Sequence, residues 1–118
     1  MTNNKLTTHI RKLNGTSIID IHGEVTGFSE NTLMDAYTQA ANGNTKAILL
    51  NFSDLDYLNS SGIGLIVTLL IRTQRQKQKL MACGLTEHYQ EIFKLTRLNE
   101  AIGIFDTEAE ALATIGNW

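Results

Sequence analysis

Two short apolar runs, KAILLNF over Lys46–Phe52 and LMACGL over Leu80–Leu85, bracket the stretch GIGLIVTLLIRTQRQKQK, whose first half is apolar nearly all round and whose last half is basic. Runs this short and this apolar suit strands covered on both faces, as in the middle of a parallel sheet. The stretch between them is long enough for a helix, and its basic end complements the negative pole of a helix C-terminus. A helix joining two inner strands is a crossover that returns the chain to the same end of the sheet. Repeated along the chain, such strand, helix, strand units favour a mostly parallel sheet.

The flanking sequence extends the pattern. Leu6–Leu13 reads as a weak edge strand, Asn14-Gly15 is a two-residue hairpin signal, and Ser17–His22 sets Ile19 and Ile21 in alternation against Ile18, Asp20 and His22. From Ser29, a candidate cap, to about Asn42, Leu33, Ala36, Tyr37 and Ala40 lie on one helical stripe, and Gly43 ends it. Thr86 opens a helix in which Tyr89, Ile92, Phe93 and Thr96 share a face, Ala101–Phe105 is a short strand, and Thr107 with Glu110 has the spacing of a capping box before Ala111, Leu112 and Ile115. The predicted order is ββαβαβαβα: an α/β fold with a mixed four- to five-stranded sheet, helices mainly on one face, and one domain spanning 1–118. The polar segment Ser53–Ser61 is expected as a loop beyond the carboxyl ends of the strands, where such sheets gather their chemistry.

Composition narrows the function. With 42% hydrophobic and 19% charged residues the chain can bury a core rather than stay disordered. Ten Lys and Arg against 12 Asp and Glu leave no positive field to collect nucleic-acid phosphates or an anionic bilayer surface. Cys83 is the single cysteine, which rules out an intrachain disulfide, and His9, His22 and His88 fall on different elements with no metal-ligand spacing. No metal or cofactor is assigned. MTNNKLTTHIRKLNG lacks the apolar core of a signal peptide, and the longest apolar stretch, Ile63–Ile71, is interrupted by Thr68. A cytoplasmic protein without membrane insertion is expected.

The most informative stretch is NFSDLDYLNSSGIGLIVTLL, which runs from a strand through an acidic segment and a hydroxyl pair into a helix. Asn59, Ser60 and Ser61 are all good N-cap residues, and capping alone accounts for polar residues before a helix; of the pair, Ser61 is expected as the plain cap. Gly62 and Gly64 each cost roughly 1 kcal/mol against Ala inside a helix, which points to something approaching closely at both.

Asp54, Leu55, Asp56, Tyr57, Leu58, Asn59, Ser60, Ser61, Gly62, Ile63 and Gly64 resemble the signature of STAS-domain anti-sigma-factor antagonists, in which an acidic loop leads to a Ser–Ser/Thr–Gly–Leu–Gly helix start. The likeness extends more weakly to Gly23-Glu24 and to the element order. It implies a STAS domain that catalyses nothing itself. By the resemblance, Ser60 accepts phosphate from an anti-sigma factor that is also a serine kinase; the unmodified form binds that partner and the phosphorylated form releases it, so transcription is regulated without contact with DNA. A serine/threonine phosphatase would restore the unmodified form. The resemblance places partner binding on Gly23, Glu24, Thr26, Asp54, Asp56, Tyr57, Asn59, Ser60, Ser61, Gly62 and Gly64, with Ser61 the second candidate acceptor. Two positions depart from the family: Asn59 and Thr26 stand where acidic residues are usual, and each replacement removes a negative charge.

Other readings are weaker. The same fold serves as a STAS subunit of a transporter or of a stress-signalling scaffold, and copurification of a permease rather than a kinase would separate the two. A nucleophilic role for Ser60 or Ser61 lacks a Gly-x-Ser-x-Gly elbow, and Gly62-Ile63-Gly64 lacks the lysine and spacing of a P-loop. Arg72, Arg75, Lys77 and Lys79 read as a solvated helix end, Cys83 as core, and Trp118 as packed back or exposed.

Overall fold

A computed structural model of the protein describes residues 5–115, so Trp118 lies outside the described residues. The strands are β1 (Thr7–Leu13), β2 (Thr16–Val25), β3 (Ala47–Leu58), β4 (Lys79–Cys83) and β5 (Gly103–Phe105). The helices are α1 (Glu30–Ala40), α2 (Ser60–Arg75), α3 (Glu87–Leu95) and α4 (Glu108–Ile115), with single 3-10 turns at Gly27–Ser29 and Leu98–Glu100. Apart from those turns the order is the predicted ββαβαβαβα.

The five strands lie in the order β1-β2-β3-β4-β5; β1 runs antiparallel to β2 and every other pair is parallel. The hairpin closes through Gly15 at φ +81°, a left-handed conformation that glycine adopts without a Cβ penalty. Each later crossover passes over the same face, because consecutive parallel strands are joined by connections of one hand. That face buries Ile19, Ile48 and Leu50 of the sheet against Leu33 of α1, Ile66 and Leu69 of α2, and Phe93 of α3. Among the described residues the opposite face is covered by α4, through Ala111 against Ile18, Leu49, Met81 and Cys83. The central strands are thus enclosed on both sides, which is why KAILLNF and LMACGL do not alternate. Cys83 is fully buried, and burial pushes its thiol up to about 11.

Arg11 on β1 ties α4 to the sheet. Its Nε donates to Asp20 Oδ2 at 2.8 Å and its Nη2 to Asp20 Oδ1 at 2.7 Å, while Nη1 donates to Glu108 Oε2 at 3.0 Å. Asn51 Nδ2 also donates to Asp20 Oδ1, at 2.8 Å. The Arg11 hydrogen bonds hold the Asp20 carboxyl below its usual range, with Asn51 adding to them against partial desolvation. A carboxyl whose folded pKa is depressed stabilises the fold above its unfolded pKa, near 3.9, and loses that contribution as pH falls through the folded value. The urea midpoint should therefore hold from pH 7 to about 5 and decline below about 4. Asp20→Asn should be less stable at pH 7 by about 1–2 kcal/mol and show a shallower acid decline. An unchanged acid slope in that variant would remove Asp20 as a source of the decline.

The main departure from the sequence reading concerns the ends of β2 and β3. The second strand was expected to stop at His22 and Ser53–Ser61 to be a loop; instead β2 continues to Val25 and β3 to Leu58. The two remain paired through register shifts after Asp20 and after Gly23, so that Glu24 faces Tyr57 and Val25 faces Leu58. Pairing to a neighbouring strand overrides the poor strand propensity of Asp54 and Asp56. At the helix ends, Ser29 and Thr86 occupy cap positions without a side-chain cap bond, whereas the Thr107 hydroxyl does accept from the Glu110 N–H at 3.2 Å. The basic end of α2 stops at Arg75, where a turn with Lys77 at φ +57° brings the chain into β4.

Candidate functional site

Beyond Asn51, which pairs with Cys83 at the end of β4, β3 runs on with β2 as its remaining strand partner. On its other side the Leu58 N–H donates to the hydroxyl of Tyr89 on α3 at 3.1 Å. A side chain thus takes an N–H that has no strand beside it, as a buried backbone donor requires. The two extended ends carry the residues singled out from sequence to one rim of the molecule.

The chain turns from β3 into α2 at Asn59. Its N–H donates to Val25 O at 3.3 Å and its side-chain oxygen accepts from the Gly62 N–H at 2.9 Å. Asn59 is therefore the N-cap, and the expectation that Ser61 fills this role is corrected: the bond to β2 holds Asn59 in an extended conformation, and only there can its side chain fold back on the first turn. Asn59→Ala should cost about 0.5–2 kcal/mol, read as a lowered urea midpoint with an unchanged denaturant slope. An unchanged midpoint would mean that water replaces the cap fully.

With the cap supplied by Asn59, Ser60 is the first and Ser61 the second residue of α2, and both are exposed. Neither hydroxyl makes a hydrogen bond to the described residues. The N–H groups of this first turn have no acceptor within the helix and carry its positive pole. Ser60 thus presents a free hydroxyl at an electropositive helix start.

The two glycines of the segment separate. A Cβ on Gly62 would lie 2.1 Å from Val25 O and 2.8 Å from Leu58 Cδ1, so the helix start rests directly on the strand ends. A Cβ on Gly64 would meet nothing within 4 Å; the close approach expected at this position is not made by the described residues, and Gly64 is exposed.

The remaining residues frame this start. Asp54, Asp56 and Tyr57 are exposed along the end of β3, with Asp54 Oδ2 3.3 Å from Nδ1 of His22. Gly23 is buried at φ +94°, beside a register shift that only glycine follows without strain. The half-buried Glu24 lends its carbonyl to the Ser29 hydroxyl at 3.1 Å, and Thr26 caps the turn Gly27–Ser29. That turn touches α2, since a Cβ on Gly27 would stand 3.4 Å from the Cβ of Ser61. Sequence reasoning missed three residues here: Phe28, His22 as a neighbour of Asp54, and Tyr89 as a backbone acceptor. A large apolar residue between Gly27 and Ser29 was the available signal for the first; the others depend on register and packing.

Among the described residues no group of His, Cys, Asp and Glu could hold a metal ion, and no helix is long and apolar enough to cross a membrane.

Comparison with known proteins agrees with this architecture. The STAS domain family model matches residues 7–111. An anti-sigma-B factor antagonist of Staphylococcus aureus is 24% identical over 93 residues, covering 78% of this chain and 86% of the relative. An anti-sigma factor antagonist from Mycobacterium paratuberculosis superposes with a TM-score of 0.78 at 18% identity, over 93% of each chain. The Bacillus cell fate determinant SpoIIAA in its phosphorylated form gives 0.71 at 19% identity, over 92% of this chain and 99% of that one.

Proposed function

The chain belongs to the STAS domain family, and on that premise we propose that it is an anti-sigma-factor antagonist whose binding is switched at Ser60. Its partner is an anti-sigma factor with serine kinase activity, held by the unmodified protein in the cytoplasm and released when Ser60 is phosphorylated; a serine/threonine phosphatase resets the switch. The docking face is the rim formed by Gly23, Glu24 and Thr26 with Asp54–Gly64. The chain itself supplies no chemistry in this reading.

One observation carries the proposal. The hydroxyl of Ser60 is exposed and unbonded while Asn59 caps the helix, so stability gives no reason for a serine there. A modification gives one. Phosphate adds about −1.5 to −2 charge at pH 7. At the start of α2 the helix pole tolerates that charge locally, so the fold survives it. A partner matched to the neutral hydroxyl does not, because the added charge and oxygens must be desolvated at the interface, on a rim that already bears the exposed Asp54 and Asp56. Asn59 retains the capping oxygen of the usual aspartate without its charge, which leaves the helix intact and changes what a basic group on the kinase meets.

The test is incubation of the purified chain with ATP and the candidate anti-sigma kinases, followed by intact mass and fragmentation. A single phosphate on Ser60 is the expected product. Phosphate confined to Ser61 would move the acceptor by one residue, and none at either position with a kinase that binds the chain would remove the switch.

A further inference from the structure

Phe28 is 102% exposed, whereas the other exposed large apolar side chains among the described residues are between 37% and 75% exposed. A side chain this open is ordinarily found on a mobile segment, yet the turn that carries it is closely held. The Phe28 N–H donates to Thr26 Oγ1 at 3.2 Å, the Thr26 N–H donates to Ser29 Oγ at 2.9 Å, the Ser29 N–H donates to Thr26 O at 2.9 Å, and the Ser29 hydroxyl donates to Glu24 O. Ser29 itself is buried. The neighbouring Gly27 rests against Ser61, so the ring projects one residue away from the hydroxyl pair. An aromatic side chain on a backbone turn already fixed by hydrogen bonds has only its two side-chain torsions to lose on docking and can bury its full area in a partner.

We infer that Phe28 is the aromatic anchor of the docking face and inserts into an apolar pocket, bordered by Lys or Arg, on the partner protein. The charge of the two segments that form the face selects that occupant. No Lys or Arg occurs from Gly23 to Glu30 or from Ser53 to Ile71, while Glu24, Glu30, Asp54 and Asp56 do. A face whose two segments carry carboxylates and no Lys or Arg, with one fully exposed ring, is complementary to a basic surface holding an apolar pocket. It opposes an anionic bilayer, which would otherwise be a natural destination for an exposed ring. On the first turns of α2, the exposed Gly64 has no side chain and leaves a partner open access to the helix backbone.

This inference rests on the anti-sigma-factor reading and is tested with the anti-sigma factor that binds the wild-type chain, purified with it. Titration calorimetry with unmodified Phe28→Ala should give a dissociation constant about 30-fold weaker or more, the range of a central aromatic anchor. The thermal midpoint should not move, because the ring contributes no packing to the fold. Phe28→Leu should recover part of the affinity. Phe28→Ala binding within about threefold of wild type overturns the anchor while leaving the anti-sigma reading in place. A wild-type chain that binds no anti-sigma factor overturns both. Self-association of wild type in sedimentation, abolished by Phe28→Ala, would assign the ring to a second copy and overturn the choice of occupant.

Discussion

Gly62→Ala is expected to cost about 3 kcal/mol or more, the upper end of what overpacking a closed site does. The added methyl would sit 2.1 Å from Val25 O, and that oxygen cannot move aside: its strand is paired with β3, and it already accepts the Asn59 N–H. The helix start must lift off the strand ends, which stretches the cap from the Gly62 N–H to the Asn59 side chain and the Asn59 N–H bond to Val25 O together. Gly64→Ala, two positions on, should do the opposite. Nothing lies within 4 Å of a Cβ there, so only the helix preference for alanine remains, and a gain of up to about 1 kcal/mol follows. Urea denaturation of the two variants beside wild type decides the matter. Equal and small effects would mean that the α2 start is free to relax. A Gly64→Ala protein that is more stable yet binds its partner less well would locate the use of that glycine on the binding face.

Phosphorylation of Ser60 should weaken binding to the anti-sigma factor by about ten- to a hundredfold, a coupling of roughly 1–3 kcal/mol, with little loss of folding stability. Ser60→Asp carries one charge and lacks phosphate geometry, so it should fall between wild type and the phosphorylated form. Ser60→Ala should bind nearly as wild type and unfold nearly as wild type, because its hydroxyl neither caps the helix nor bonds within the fold. Calorimetric titration of the four proteins against one partner separates these cases. Phosphorylated protein binding as tightly as unmodified protein would exclude charge at the α2 start as the release signal. A Ser60→Ala variant that failed to bind would show instead that the hydroxyl is a contact in its own right.

What was legible in the sequence was local. The period of the apolar residues placed the inner strands and the crossover helix, the Asn14-Gly15 pair placed the hairpin, and the polar residues before Ile63 placed the start of α2 within two residues. Each of these follows from backbone preferences and side-chain spacing inside one element. The likeness of Asp54–Gly64 to a known signature then supplied the family, which the spacing alone could not.

The tertiary structure decided everything at the site that depends on which distant backbone group lies alongside. Asp54 and Asp56 are poor strand residues, and only pairing with β2 keeps them extended. Asn59, Ser60 and Ser61 are near-equivalent caps taken singly; the hydrogen bond from Asn59 to Val25 O selects the first and leaves the Ser60 hydroxyl free. Gly62 and Gly64 look alike in sequence, and Val25 and Leu58 beneath one of them make it irreplaceable while the other faces solvent. Phe28 is an ordinary apolar residue until four hydrogen bonds hold its turn and aim the ring outward. Sequence spacing sets which face of an element is apolar, but cap choice, close approach and exposure are pairwise distances between remote segments, and those exist only once the sheet has assembled.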